Sequence, residues 1–185
     1  MAVSGDVVFN QITDTTQAIL DYAGHFTSAG EVSLDAYDNT ELMAIAGAAA
    51  IVSGKDSSAG LAGSYAENRL ITDTLAQIHR GEITTQNDDQ VALTASQGGF
   101  ATAVAAGGAG GINHADGSAE IAGSVAINVV TPVTAARIDD SVVTSSGELN
   151  LTATDTISML AIAGAASFGG KAGIGAAAAT NLTHW

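Results

Sequence analysis

Cysteine is absent, and lysine and arginine together number only 5. Without cysteine the chain has no disulfide, no thiol nucleophile and no thiolate zinc site. Against those 5 bases stand 19 acids, a formal net charge of −14. That balance argues against a nucleic-acid partner, because phosphate binding needs a basic surface. It equally disfavours anionic membrane surfaces, while it permits divalent cations and keeps an apolar chain in solution. Aromatic residues are scarce too, at 4%. The apolar fraction of 46% is therefore carried by alanine and short aliphatic residues, with 22 glycines beside them. Small side chains fill little volume, so they reach native packing density only if backbone layers approach closely. Coiled, stacked sheets allow that approach; one thick globular core does not.

Two kinds of segment are missing as well. Met1 to Gln11 has neither the basic stretch nor the apolar run of an export signal. Met159 to Ala179 has the length of a membrane span, and Gly169 and Gly173 form a GxxxG pair. Yet it is mostly alanine and glycine and holds Lys171, and its counterparts earlier in the chain carry Lys55, Asp56, His114 and Asp116. The low transfer energy of alanine and glycine leaves no membrane span expected.

What is present is a repeat. GEVSLDA from Gly30, QVALTA from Gln90 and GELNLTA from Gly147 align, placing Val32, Val91 and Leu149 in correspondence at separations of 59 and 58. ELMAIAGAAA, FATAVAAGGA and SMLAIAGAAS follow, and then segments ending in Asn68, Asn128 and Asn181. The asparagine series starts at Asn10, so its steps are 58, 60 and 53. The unit is about 58 residues, seen roughly three times over 10–67, 68–127 and 128–180 within one continuous solenoid, 1–185. The chain begins and ends inside a unit, and no polar cap is recognisable, as expected of a window on a longer array or of ends that stack on something. Length differences fall in VSGKDSS, GGINHADGS and GGK, and in HRGEITTQNDDQ and DDSVVTSSGE, which read as surface loops.

Inside the unit, Val32, Leu34 and Ala36 alternate with Glu31, Ser33 and Asp35, the period of a strand with one buried face. The AIAGAAA segments are small on both faces and read as buried strands, with a helix as the competing assignment because alanine favours helices. Four strand-like segments per unit predict an all-β, parallel β-helix with two or three coils per repeat. An antiparallel hairpin around Gly54 to Ser58 is the alternative. The asparagines are expected to cap turns; a stacked ladder of Asn10, Asn68, Asn128 and Asn181 would need one coil per repeat.

The pattern AIAGAAxxxGGKAGIGAAAATN, followed by VTAARIDDSVVTSSGELNLTATD, resembles repeats of giant bacterial exoproteins: filamentous-haemagglutinin-like and leukotoxin-like adhesins and autotransporter passenger regions. The resemblance covers nearly the whole chain. It implies an exported, right-handed β-helical stalk, extracellular or on the cell surface, and it brings no catalytic motif.

The residues offer few alternatives. His25, His79, His114 and His184 are far apart and read as surface or turn residues. The acid pairs Asp88–Asp89 and Asp139–Asp140, with Arg80 and Arg137 nearby, are the ingredients of a polysaccharide lyase, but they fall in variable turns. Hard oxygen ligands make Asp88, Asp89, Asp116, Asp139 and Asp140 candidates for weak calcium binding. Threonine pairs such as Thr152 and Thr154 form no unbroken ladder for ice, since their counterparts read as Thr94 with Ser96 and Ser33 with Asp35. No other cofactor is expected, and no nucleophile elbow, phosphate loop or dinucleotide fingerprint occurs. The expected role is a non-catalytic structural stalk or adhesin segment, elongated in shape. Its partners are neighbouring repeats of the same or a longer chain and host or matrix glycans or proteins. The alternatives are a lyase-like carbohydrate-active protein and a calcium-stabilised, self-assembling matrix protein.

Overall fold

In a computed structural model, the described residues are 1–21, 24–53, 58–112, 118–169 and 172–184. They form ten strands: β1 Ala2–Asp21, β2 His25–Ser28, β3 Val32–Ser53, β4 Ala59–His79, β5 Glu82–Thr85, β6 Val91–Ile112, β7 Ala119–Asp139, β8 Val142–Thr144, β9 Leu149–Phe168 and β10 Ala172–Thr183. Three parallel sheets result: sheet I, in the order β1-β4-β7-β10; the short sheet II, β2-β5-β8; and sheet III, β3-β6-β9. The fold is a right-handed parallel β-helix of three repeats of about 58 residues.

Each repeat is one circuit, not two or three. Val32 pairs with Val91 and Val91 with Leu149, while Asn10 pairs with Asn68, Asn128 and Asn181 in succession. The strands are longer than the sequence segments suggested because AIAGAAA and the alternating run before it join into a single strand, β3. The hairpin alternative fails on the same register: β3 and β4 lie in different sheets, and every pairing is parallel. Helix is absent among the described residues. Alanine here occupies columns where a larger side chain would not fit, and that tertiary demand overrides its helix propensity.

Two further expectations change. HRGEITTQNDDQ and DDSVVTSSGE are not loops throughout; they contain β5 and β8, whose Ile83 points inward and is 1% exposed. The turns around Gly54, Asn113 and Lys171 lie outside the described residues. The proportions also differ from a rod. Strands of 20 to 22 residues in sheet III reach ~70 Å at about 3.3 Å per residue. The four rungs of sheet I occupy only ~19 Å at about 4.8 Å per rung. The long dimension lies across the coil axis.

The interior is a wedge. Where all three sheets meet, it is filled by Val32, Leu34, Ile78, Ile83, Val91 and Leu93. Farther along, Leu42, Leu70 and Val130 suffice. Beyond them the two core clusters are built of alanine, among them Ala44, Ala66, Ala105 and Ala126, then Ala50, Ala62, Ala109 and Ala122, with Val52, 5% exposed, and Glu120, 1% exposed, buried at the far end. The sheets thus converge away from sheet II, and at Gly107 an added Cβ would lie 2.5 Å from the Gly123 carbonyl oxygen.

Between the aliphatic and alanine parts runs the asparagine ladder. Asn10, Asn68 and Asn128 each donate Nδ2 to the Oδ1 of the next asparagine, at 3.0, 3.0 and 2.9 Å. The same nitrogens donate across the interior to the carbonyls of Met43, Thr102 and Leu160 at 2.7, 2.7 and 2.8 Å. The asparagines therefore bind coil to coil and sheet I to sheet III, rather than capping turns. A second polar layer stacks Asp38, Gln97 and Asp155, with Gln97 held by Thr72 and Thr134. Burial raises the Asp155 carboxyl above its ordinary range.

Stacking like on like also threatens to stack charge on charge. It does not happen: along the paired strands, Asp6 meets Ser64, Asp35 meets Thr94, Asp38 meets Gln97, Glu82 meets His25 and Asp139 meets His79. No acid is paired with another acid among the described strands. Rungs about 4.8 Å apart would make each such contact repulsive.

Two sets of substitutions test this packing by urea unfolding. Asn128→Ala strands partners on three sides, Asn68 among them fully buried, and is expected to cost about 2–4 kcal/mol, against under about 1 kcal/mol for Asn10→Ala on the outer rung. Gly107→Ala is expected to cost about 1–3 kcal/mol by overpacking. Gly108→Ala, where an added Cβ meets nothing within 4 Å, should be neutral or stabilising by about 0.4–1 kcal/mol.

Candidate functional site

The chemistry-bearing side chains collect at the corners of the coil. The first corner follows sheet I, where Asp21, His79 and Asp139 share a column on successive rungs. Arg80 and Asp140 turn the chain there with φ of 54° and 47°, a left-handed conformation that is unusual outside glycine and asparagine. Arg80 closes a two-pronged pair with Asp21, Nε to Oδ1 at 3.0 Å and Nη2 to Oδ2 at 2.6 Å. That guanidinium holds the Asp21 carboxyl below its usual range. Ser141 pins the turn by donating to the Asp139 carbonyl at 2.7 Å and accepting from Gly81 N at 3.0 Å.

One rung up, the His79 Nδ1 faces Asp139 Oδ2 at 3.5 Å. This nitrogen is buried and has no hydrogen-bond partner. One ligand atom each from His79, Asp139 and Asp140 falls within a mutual 4.8 Å, the one such group among the described residues. Two ligands held about 2.0–2.2 Å from one ion at ordinary coordination angles lie ~3–3.6 Å apart, so the His79–Asp139 spacing suits a shared cation. An imidazole in the set favours a transition-metal dication such as zinc over calcium, which prefers oxygen alone.

The five proposed calcium carboxylates are therefore not gathered into one place. Asp139 and Asp140 stand at the first corner. Asp88 and Asp89 stand at the next, between β5 and β6, and Asp116 lies outside the described residues. At that second corner the backbone does the work. The Asp89 carbonyl accepts from Thr85 Oγ1 at 2.7 Å, from Ser145 Oγ at 3.2 Å and from Gly147 N at 3.1 Å. Gly147 leaves room for the Asp88 carbonyl, which a Cβ would strike. Nor do the two arginines converge on the acid pairs: Arg80 is engaged by Asp21, and Arg137 donates to the Gln77 side chain at 3.1 Å.

Sequence reasoning missed two groups. In the sequence His79 reads as a surface or turn residue, and only a single-circuit register aligns it with Asp139. Glu120 had no signal at all. It points inward and is 1% exposed, with neither carboxylate oxygen hydrogen-bonded. Gly60, Gly111 and Gly169 surround it, and a Cβ on either of the last two would crowd its carboxylate.

The corner is tested by thermal melting with added cations. Zinc is expected to raise the melting temperature and calcium to leave it unchanged. His79→Ala should weaken the zinc effect by more than the ~10-fold that loss of even an outer-shell partner costs. Stabilisation by calcium alone would return the corner to an oxygen-only site. Comparison of the chain with protein families, curated proteins and solved structures gives no match.

Proposed function

We propose that the chain is a length of structural stalk or adhesin from a large secreted or cell-surface bacterial protein, with no catalytic role. The observation that carries this reading is the one-circuit register. Because each repeat returns to the same three sheets one rung higher, repeats can be added without changing the fold, and the spacer grows by a fixed step. Strands end at Ser53, Ile112 and Phe168 and resume at Ala59, Ala119 and Ala172. Segments of different length are thus accommodated at one end of each coil, where variation costs the stacked core nothing. This is the behaviour expected of a display scaffold, and it agrees with the resemblance to filamentous-haemagglutinin-like repeats. Glycans or proteins of a host or matrix are the partners such a scaffold would meet.

A second reading, an array stabilised by divalent cations, is favoured by the His79–Asp139–Asp140 corner, and the melting experiment above tests it.

The stalk reading is tested by small-angle X-ray scattering on a tandem version with residues 68–127 duplicated. The expected result is ~4.8 Å of added thickness with the breadth of the particle unchanged. A particle that broadens instead, or loses its β signal, would overturn the reading. Retention of the protein on a panel of matrix glycans and proteins then separates an adhesin from a plain spacer.

A further inference from the structure

The outer surface of the solenoid is divided in two along the strands, and the half remote from sheet II is apolar. On sheet III, the outward positions from Met43 to Ser53, and their partners on β6 and β9, carry no charged side chain. Met43, Ile45 and Ile51 are 66%, 60% and 64% exposed, and Phe168 is 71% exposed. The half nearer sheet II is different: its outward positions on β3 include Asp35 and Glu41. A chain of net charge −14 that leaves one broad region without charge, and fills it with isoleucine, methionine and phenylalanine, presents a surface that water alone does not favour.

This face has relief. Ile45, Val104 and Ile162 stack into a ridge along the coil axis. Beside it, Gly47, Ala106 and Gly164 form a groove, widened by Ala49, Gly108 and Ala166. The next row bounds the groove with Ile51 and Phe168 on the outer rungs and leaves it open at Gly110 on the central one.

We propose that this half of sheet III is an interface between two copies of the chain, packed face to face, with the ridge of one copy seated in the groove of the other. Three features select a second copy as the occupant. Side chains recur along the axis at the spacing of the rungs, so only a surface with the same spacing keeps ridge in groove over every rung. Copies of a strongly acidic chain repel one another, and this face, like the outward columns of Val3, Gly5 and Val7 on sheet I, lets them approach without bringing carboxylates together. The face measures ~36 Å along eleven residues by ~14 Å over three rungs. Two such faces bury roughly 1,000 Å², the lower bound for a specific association, and the area grows with each further coil.

The test is sedimentation equilibrium over a range of concentrations, with substitutions on the face. Wild type should show a reversible monomer–dimer equilibrium. Ala106→Lys, at an exposed outward position of the central rung, should weaken association at least tenfold, whereas Thr152→Lys, outward on the polar half, should leave it unchanged. Should Ala106→Lys fail to fold, cysteine cross-linking decides. A mixture of Gly164→Cys copies, where a Cβ meets nothing within 4 Å, and Ile162→Cys copies, which pairs a groove position with a ridge position, should give an oxidised dimer that Thr152→Cys does not. A monomer at every concentration would overturn the proposal. So would association indifferent to Ala106→Lys, which would assign contact to the open strand edges, or a wild-type monomer that floats with neutral phospholipid vesicles.

Discussion

One circuit of the coil is as long as one repeat of the sequence, and everything else in the structure answers to that equality. It puts each residue one rung, about 4.8 Å, from its own counterpart. Amides gain from such stacking, because a carboxamide is donor and acceptor at once; hence the ladder of Asn10, Asn68, Asn128 and Asn181. Alanines gain too, since identical small columns let two sheets close together. Carboxylates lose, and the chain avoids the loss by interleaving: Asp38 and Asp155 sit either side of Gln97, and Asp21 and Asp139 either side of His79. The corner that brings His79 to Asp139 and Asp140 is a by-product of the same rule.

The wedge explains why two compositions coexist in one coil. Three sheets meeting at a corner enclose volume that needs leucine, isoleucine and valine. Two sheets converging beyond it are filled chiefly by alanine and, at Gly107, leave room for no side chain at all, before Val52 and Glu120 fill the far end. A thin alanine core buries little apolar area per residue, so this half of the coil gains less from burial than the aliphatic end. The asparagine ladder lies at the start of this thin region and ties its two sheets together by buried hydrogen bonds. A lateral contact on the apolar outer face would add burial where the interior supplies least.

Stalk, cation-stabilised array and lateral pairing are compatible, because they use different parts of one coil. Stacking uses the strand edges, the cation corner uses the junction of sheets I and II, and the lateral contact uses the outer face of sheet III. Such separation is natural in a solenoid, where each side chain is committed to a column and each column to one environment.

Much of this was legible in the residues themselves. Period two in Val32–Leu34–Ala36, the recurrence of that run at Gln90 and Gly147, and the shortage of large side chains are local facts. They determine strands, a repeat of about 58 residues and a closely layered core without reference to any fold. Tertiary structure alone decided how many strands make a circuit, because that depends on whether the chain turns into a new sheet or runs straight on. Here AIAGAAA continued the strand before it, and two apparent loops supplied the third sheet. From that single outcome followed the asparagine ladder, the meeting of His79 with Asp139, and the burial of Glu120 among glycines. Residues 58 to 60 apart become neighbours only when the circuit has that length.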